Sequence, residues 1–376
     1  MRFVLVVLMG CAGSKAPKTG PITPDPAPAL ATSDPVEVLE GFLQHPEPGL
    51  RGEAVQWRAW AGGDELVGDA SSWVQRAEVE GLALRGDDAA RERLVDVAEQ
   101  PGSDPWVRGL AALVHPVPAM QAALAGYRTE PMAWRRLPLA LGAWASGDAE
   151  AREALERDLR SGMLDWNVDL MVAIGGRGDP ELAPALAEAE RQAEPELRLA
   201  IAAARLMVGD EEAAAAFGPV IRGDSTEARL EAIDLLVQVP TEPASRLLAQ
   251  AADRGPEIVT TYVELAGIDR GESKLGRLRK AMASDNPEIR ELAMRFAVPG
   301  AASPLWRPRA LVDTKRRAEV APLVADGLLD EDPRVRLEAV KTAARLGLDV
   351  TPVAQALTRD AHPRVRLAAA GYLGLR

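Results

Sequence analysis

A turn-and-helix pattern returns about every 30 residues from Pro48 to the end of the chain. Its clearest copies are Asp332-Pro333-Arg334-Val335-Arg336-Leu337-Glu338-Ala339 and His362-Pro363-Arg364-Val365-Arg366-Leu367-Ala368-Ala369. A repeat of this length is one supersecondary unit that cannot bury its own apolar face, so neighbouring copies must stack. At 376 residues the chain would otherwise suggest several ordinary domains. The repeat replaces that expectation with an architecture that grows by addition.

Counting from the proline as position n, the pattern asks for an aliphatic residue at n+2, arginine at n+3 and a small apolar residue at n+6. Pro48 gives Leu50, Arg51 and Ala54; Pro105 gives Val107, Arg108 and Ala111. Pro195 gives Leu197, Arg198 and Ile201, and Pro287 gives Ile289, Arg290 and Ala293. Thr226 replaces the proline but keeps Arg229, Trp73 replaces it with Arg76 in register, and Trp166 replaces it with Val168 following. Pro131 and Pro256 keep the proline but place Trp134 and Val259 where the arginine stands. The reading gives eleven copies, starting near residues 48, 73, 105, 131, 166, 195, 226, 256, 287, 333 and 363.

The residue types make physical sense. Proline fits the first helical turn, where its missing N–H had no partner. Asp104, Asp285 and Asp332 are placed to cap the free amides. Val335, Ala339, Ala343 and Leu346 share one helical face. Gly-Asp pairs at Gly63-Asp64, Gly86-Asp87, Gly147-Asp148, Gly178-Asp179 and Gly209-Asp210 end one helix in the left-handed conformation and cap the next. Second helices follow, as over Glu181 to Gln192 and Glu211 to Ile221. No strand pattern is present. The expected fold is all-α: a right-handed α-solenoid of about eleven helical hairpins, an arc on the order of 100 Å long at the usual helix spacing.

The pattern resembles HEAT repeats, specifically the short HEAT-like repeats of phycobilisome lyases, over residues 48 to 376. The resemblance is strongest near 333 and 363 and weakest near 73, 131 and 256. It implies that the helix carrying Val-Arg lines the concave face. It also implies that Arg51, Arg76, Arg108, Arg198, Arg229, Arg290, Arg336 and Arg366 form a structural ladder.

The N-terminus gives a separate expectation. Met1-Arg2 followed by Phe3 to Met9 is a charged start with an apolar core too short to span a bilayer, and it reads as a secretory signal. Leu8-Met9-Gly10-Cys11 resembles the bacterial lipobox, which implies cleavage and a lipid on Cys11, the single cysteine of the chain. Residues 1–10 are then the signal peptide and 11–35 a lipidated, Pro/Ala-rich extended tether. Residues 36–376 form the helical array, with an insertion near 299–317. The expected address is the periplasmic side of the cell envelope. Ala12 and Gly13 show no aspartate retention signal, which leans towards the outer membrane.

Chemistry is hard to find. His45, His115 and His362 each precede a proline and have no His or Cys partner at ligand spacing. The His-Glu dipeptides that hold the di-iron centre of the HEAT-like deoxyhypusine hydroxylases are absent. A formal charge of −12 disfavours nucleic acid. No nucleotide-binding loop or nucleophile elbow occurs. Acidic pairs such as Asp87-Asp88 and Glu211-Glu212 sit at helix starts, where they complement the dipole. The expectation is therefore a non-enzyme without cofactor or metal.

Two features point to binding. Eight tryptophans stand against four Phe and three Tyr. Core packing is expected for the group, with Trp57 and Trp144 at apolar positions. Trp60 falls on the outward position matching Arg345, and Trp134 stands in the ladder. The second feature is the 46-residue spacing from Pro287 to Pro333. Its extra segment, Pro299 to about Asp313, contains Trp306, Arg307 and Arg309, and Lys315, Arg316 and Arg317 follow just after it, the most basic stretch of an acidic chain; insertions in repeat arrays often carry binding. The functional expectation is a lipid-anchored envelope scaffold that binds a protein partner through the concave face or the 299–317 insertion. The alternatives are a glycan or peptidoglycan binder using exposed tryptophans, and an envelope enzyme with an unrecognised carboxylate site.

Overall fold

A computed structural model describes residues 34–63, 68–161, 168–269, 275–298 and 314–376. Among the described residues there are 21 α-helices and no strand. The chain is all-α. The helices fall into two compact units, one within Pro116–Ala266, the other built from Ile22–His115, Gly267–Ala301 and Leu305–Arg376.

The chain opens in the second of these units with α1 (Pro35–Leu43), α2 (Pro48–Trp60), α3 (Ser72–Arg85), α4 (Asp88–Glu99) and α5 (Pro105–Val114). The first unit then holds α6 (Ala119–Leu124), α7 (Ala133–Ala145), α8 (Ala149–Ser161), α9 (Val168–Gly176) and α10 (Ala183–Gln192). It continues with α11 (Pro195–Met207), α12 (Phe217–Arg222), α13 (Thr226–Val237), α14 (Glu242–Arg254) and α15 (Glu257–Asp269). The chain returns to the second unit with α16 (Leu275–Met282), α17 (Pro287–Phe296), α18 (Thr314–Leu328), α19 (Pro333–Leu346), α20 (Thr351–Leu357) and α21 (Pro363–Gly374).

Each copy of the sequence pattern begins a helix within two residues of its expected start, from α2 at Pro48 to α21 at Pro363. In the strong copies proline occupies the first turn, and at α5, α17 and α19 the preceding side chain caps it. Asp104 Oδ1 accepts from Trp106 N at 2.9 Å and Asp332 Oδ1 from Arg334 N at 2.8 Å. At α17 the cap is Asn286, which accepts from Glu288 N at 2.9 Å, and the expected cap Asp285 lies one residue further out. Gly86 ends α3 at φ 66, a conformation a side chain disfavours, and Asp87 then caps α4 through Ala90 N. Near residue 63 it is Gly62, at φ 98, that takes the left-handed conformation. The second helices expected after Gly178 and Gly209 begin as 3-10 turns, Pro180–Leu182 and Glu211–Ala216, before α10 and α12. Between α2 and α3 no helix is present among the described residues, and those two helices pack directly.

Both units are two layers deep. In the first, α9, α11 and α13 pack in succession, with α8 beside α10 and α12 beside α14 behind them. In the second, the row runs α17, α19, α21, α2, α3, α5, backed by α16, α18, α20, α1 and α4. The periodic apolar positions make the core: Val335, Ala339 and Ala343 are 0% exposed and Leu346 1%. Burying each large aliphatic side chain contributes about 1.5–3 kcal/mol.

In the second unit the first and last copies of the pattern meet, with α21 packed on both α1 and α2. Gly371 of α21 lies so close to Trp57 of α2 that an added Cβ would stand 2.4 Å from the indole. Arg364 reaches Glu53 at 3.4 Å across the same seam. The two copies furthest apart in sequence thus bury apolar surface against each other in the middle of the row.

Candidate functional site

The arginine at n+3 has a recurrent task. Arg336 donates from Nη1 to the carbonyls of Asp330 and Glu331, at 2.8 and 2.9 Å, and so ties down the turn before its own helix. Its Nε and Nη2 donate to Asp360 of the next copy at 2.8 and 2.9 Å. Asp360 in turn accepts from His362 N at 2.8 Å, shaping the following turn. Arg290 repeats the arrangement with the carbonyls of Ser284 and Asp285 and the carboxylate of Asp330. Arg51 repeats it with His45, Pro46 and Asp69. Arg366, in the last copy, keeps only the two carbonyl bonds, to Asp360 and Ala361. Arg108, Arg198 and Arg229 bond the carbonyls of Ala98, Ala193 and Gly223.

The electrostatics follow from this geometry. The hydrogen bond from Arg51 holds the Asp69 carboxyl below its ordinary pKa against the effect of burial. Burial pushes Asp330 upward, but Arg290 and the Asp332 amide outweigh it and the pKa falls. A bidentate Arg–carboxylate pair of this kind fixes orientation as well as energy. These arginines act within the fold, and the ladder carries no reactive group.

Two ladder positions differ from the sequence reading. Arg76 forms a buried pair with Glu80 at 3.0 Å instead. Gln75 takes the ladder place: its Nε2 donates to the Asp69 carbonyl at 2.7 Å, and its Oε1 accepts from Asp104 N at 3.0 Å. The reason is that α3 starts at Ser72, one residue before Trp73. In α7, which starts at Ala133, the ladder residue is Arg136. It donates to the Glu130 carbonyl and, through two bonds of 2.7 and 2.6 Å, to Asp158. Trp134 therefore does not replace an arginine. It occupies the second helical position, where a side chain points away from the core.

The binding candidates separate clearly. Trp134 is 42% exposed beside Met132 at 53%, and the Arg135 guanidinium lies 5.4 Å from its ring centroid. Trp60 is half-buried and stacks on the buried Trp57, centroids 5.1 Å apart and planes 19° from parallel. Trp144 is also half-buried, with Arg177 over its ring at 5.1 Å. Arg316 is half-buried and Arg317 exposed in the first turn of α18. Trp306, Arg307 and Arg309 lie outside the described residues, as do Cys11, Trp166 and the tether up to residue 33, while Asp34 caps α1 and Pro35 begins it. The position matching Trp60 in α19, Arg345, is not outward. It sits among charges on the inner side of the second unit.

That inner cluster was invisible in the sequence. Glu291 and Arg295 of α17, Glu338, Lys341 and Arg345 of α19, and Arg76 and Glu80 of α3 are each no more than half-exposed. Burial raises the Glu291 pKa. Burial also opposes ionisation of Glu338, but Lys341, Arg295 and Arg345 outweigh it and lower the pKa.

The first unit has an open cleft of about 410 Å³ lined by Gln121, Arg128, Asp148 and Glu150. Arg128 bridges Asp148 and Glu150 there, at 2.8 and 3.1 Å. Tyr127 donates to Asp148 at 3.1 Å, and burial followed by that bond pushes its pKa up to about 12. Its polar groups are spent on one another. Among the described residues no three His, Cys, Asp or Glu side chains gather where they could hold a metal. No helix among them is long and apolar enough to cross a membrane. The chain matches no protein-family model and no curated protein.

Proposed function

We propose that this chain is a HEAT-like α-solenoid that acts as a non-catalytic scaffold, anchored in the cell envelope by a lipid on Cys11. Its protein partner docks on the Met132–Trp134 surface at the start of α7. The observation that carries this reading is the exposure of two large apolar side chains side by side, Met132 at 53% and Trp134 at 42%. Tryptophan exposed beside a flexible apolar residue is the usual composition of an interface anchor. The ladder supports the solenoid part of the reading, because its side-chain bonds couple a copy to the next one in sequence.

The protein reading is favoured over the glycan one by Met132, an exposed flexible apolar side chain two residues before Trp134 that offers a sugar no hydrogen-bonding group. The basic insertion, with Trp306, Arg307 and Arg309, remains a second docking element in this proposal.

The test is capture from detergent-solubilised envelopes with wild type, Met132→Ser/Trp134→Ser and Cys11→Ser forms. The proposal expects a stoichiometric protein that is lost from the double variant at unchanged circular dichroism and melting temperature. It also expects release of the Cys11→Ser form from the membrane fraction. The same protein captured by the double variant would remove the Met132–Trp134 surface from the account.

A further inference from the structure

The inner charges of the second unit are not all paired among the described residues. On α17, Arg295 lies 3.4 Å from Glu291. On α19, Lys341 donates to Glu338 at 3.2 Å, and on α3, Arg76 donates to Glu80 at 3.0 Å. Each of these acids thus has a cation of its own helix beside it, and Arg345 makes no ion pair within 4 Å among the described residues. It senses Glu338 and Glu80 only through space, and Arg295 repels it. Its Nε is buried without a hydrogen-bond partner among the described residues, and so is Nη1 of Arg295, whose side chain is 8% exposed.

An arginine cannot discharge itself by losing its proton, and a buried charged donor left without an acceptor is costly. Two such donors, on neighbouring helices and on guanidiniums that repel each other, call for a negative acceptor between them. Glu291 and Glu338 flank the place. A doubly charged ion would therefore meet more repulsion than a singly charged one.

We propose that a small monoanion, a halide or a short carboxylate, binds between Arg295 and Arg345 and accepts from Arg295 Nη1 and Arg345 Nε. The ion clamps α17 to α19 across the insertion. It is independent of the proposed partner surface, which lies in the other unit.

The experiment is thermal unfolding of the full chain in detergent, with sodium chloride or sodium acetate replacing sodium sulfate at fixed ionic strength. Sulfate stabilises proteins generally by exclusion from their surface, so the exchange lowers the midpoint unless the monoanion binds. The expected result is a rise of about 2 °C or more at saturation, with chloride and acetate distinguishing halide from carboxylate preference. Arg345→Met and Arg295→Met should each abolish the rise. Should either variant fail to fold, wild-type crystals grown with bromide supply the second reading, an anomalous peak between the two guanidiniums. A midpoint that falls in both salts, a rise that survives Arg345→Met, or an empty anomalous map would each overturn the site and leave water as the acceptor.

Discussion

Arg290 and Asp330 are joined by two N–H···O bonds of 2.7 and 2.9 Å across 40 positions of sequence. The equivalent pair one copy later, Arg336 and Asp360, spans 24 positions with nearly the same geometry. The extra residues between α17 and α18 are therefore accommodated without changing how consecutive copies join.

Replacing Asp330 by alanine should show how much this junction contributes. Arg290 is only 10% exposed and would keep its carbonyl bonds but lose its hydrogen-bonded counter-charge, leaving only the exposed Glu331 at 3.6 Å, while the Asp332 amide would lose its acceptor. The expected loss is about 3 kcal/mol, in the range for breaking a buried pair, read by urea unfolding. The Asp330 pKa is lowered in the fold. Its stabilisation is thus present above the ordinary carboxylate value and lost as pH falls through the folded one, so the variant should show a flatter acid limb. A loss below about 0.5 kcal/mol would put the pair among surface bridges.

The seam between first and last copies makes a second prediction. Gly371→Ala would push a methyl to within 2.4 Å of the Trp57 ring. Overpacking of this kind costs about 1–3 kcal/mol. Hydrogen exchange should locate the effect in α1, α2 and α21, with helices of the first unit unaffected. Protection lost evenly throughout the chain would argue against a local seam.

Much of this fold was legible because proline, capping residues and helical apolar spacing act locally. What failed did so for identifiable reasons. Pro131 lies two residues before α7 and Trp73 one residue after the start of α3, so counting from them missed Arg136 and Gln75. The ladder is defined by reach from a side chain back to its own preceding turn, and that requires the true helix start. The seam and the inner charged cluster depend on which copies meet in space. Glu80 and Arg345 belong to different ends of the chain, and no local pattern links them. The exposure of Trp134 was legible only in part, since the sequence placed it in the ladder.

The corrected register of α7 predicts opposite outcomes for two neighbours. Trp134→Ala should change stability by less than about 0.5 kcal/mol, as exposed substitutions usually do. Arg136→Ala should cost about 3 kcal/mol, because it leaves Asp158, 3% exposed, without its cation. Paired thermal and urea melts decide the matter. Equal losses would return Trp134 to a structural role and weaken its assignment as a docking anchor.

His362 gives the seam a pH dependence. It stands at the start of α21, with Arg364, Asp360, Glu53 and Arg336 facing it, and its Nδ1 is buried without a partner. Burial first, then Arg364 and Arg336, lowers its pKa, and Asp360 and Glu53 only partly oppose this. A base with a depressed folded pKa binds fewer protons when folded than when unfolded. Its stabilisation is complete above the unfolded value of about 6.5 and is lost as pH falls from there through the folded one. The seam should therefore open more readily at pH 5 than at pH 7.5, seen as faster hydrogen exchange in α1 and α21 after correction for the intrinsic rate. His362→Gln, which keeps a polar side chain but cannot become charged, should remove that difference. A seam equally protected at both pH values in the wild type would show that the imidazole titrates as it does in the unfolded chain.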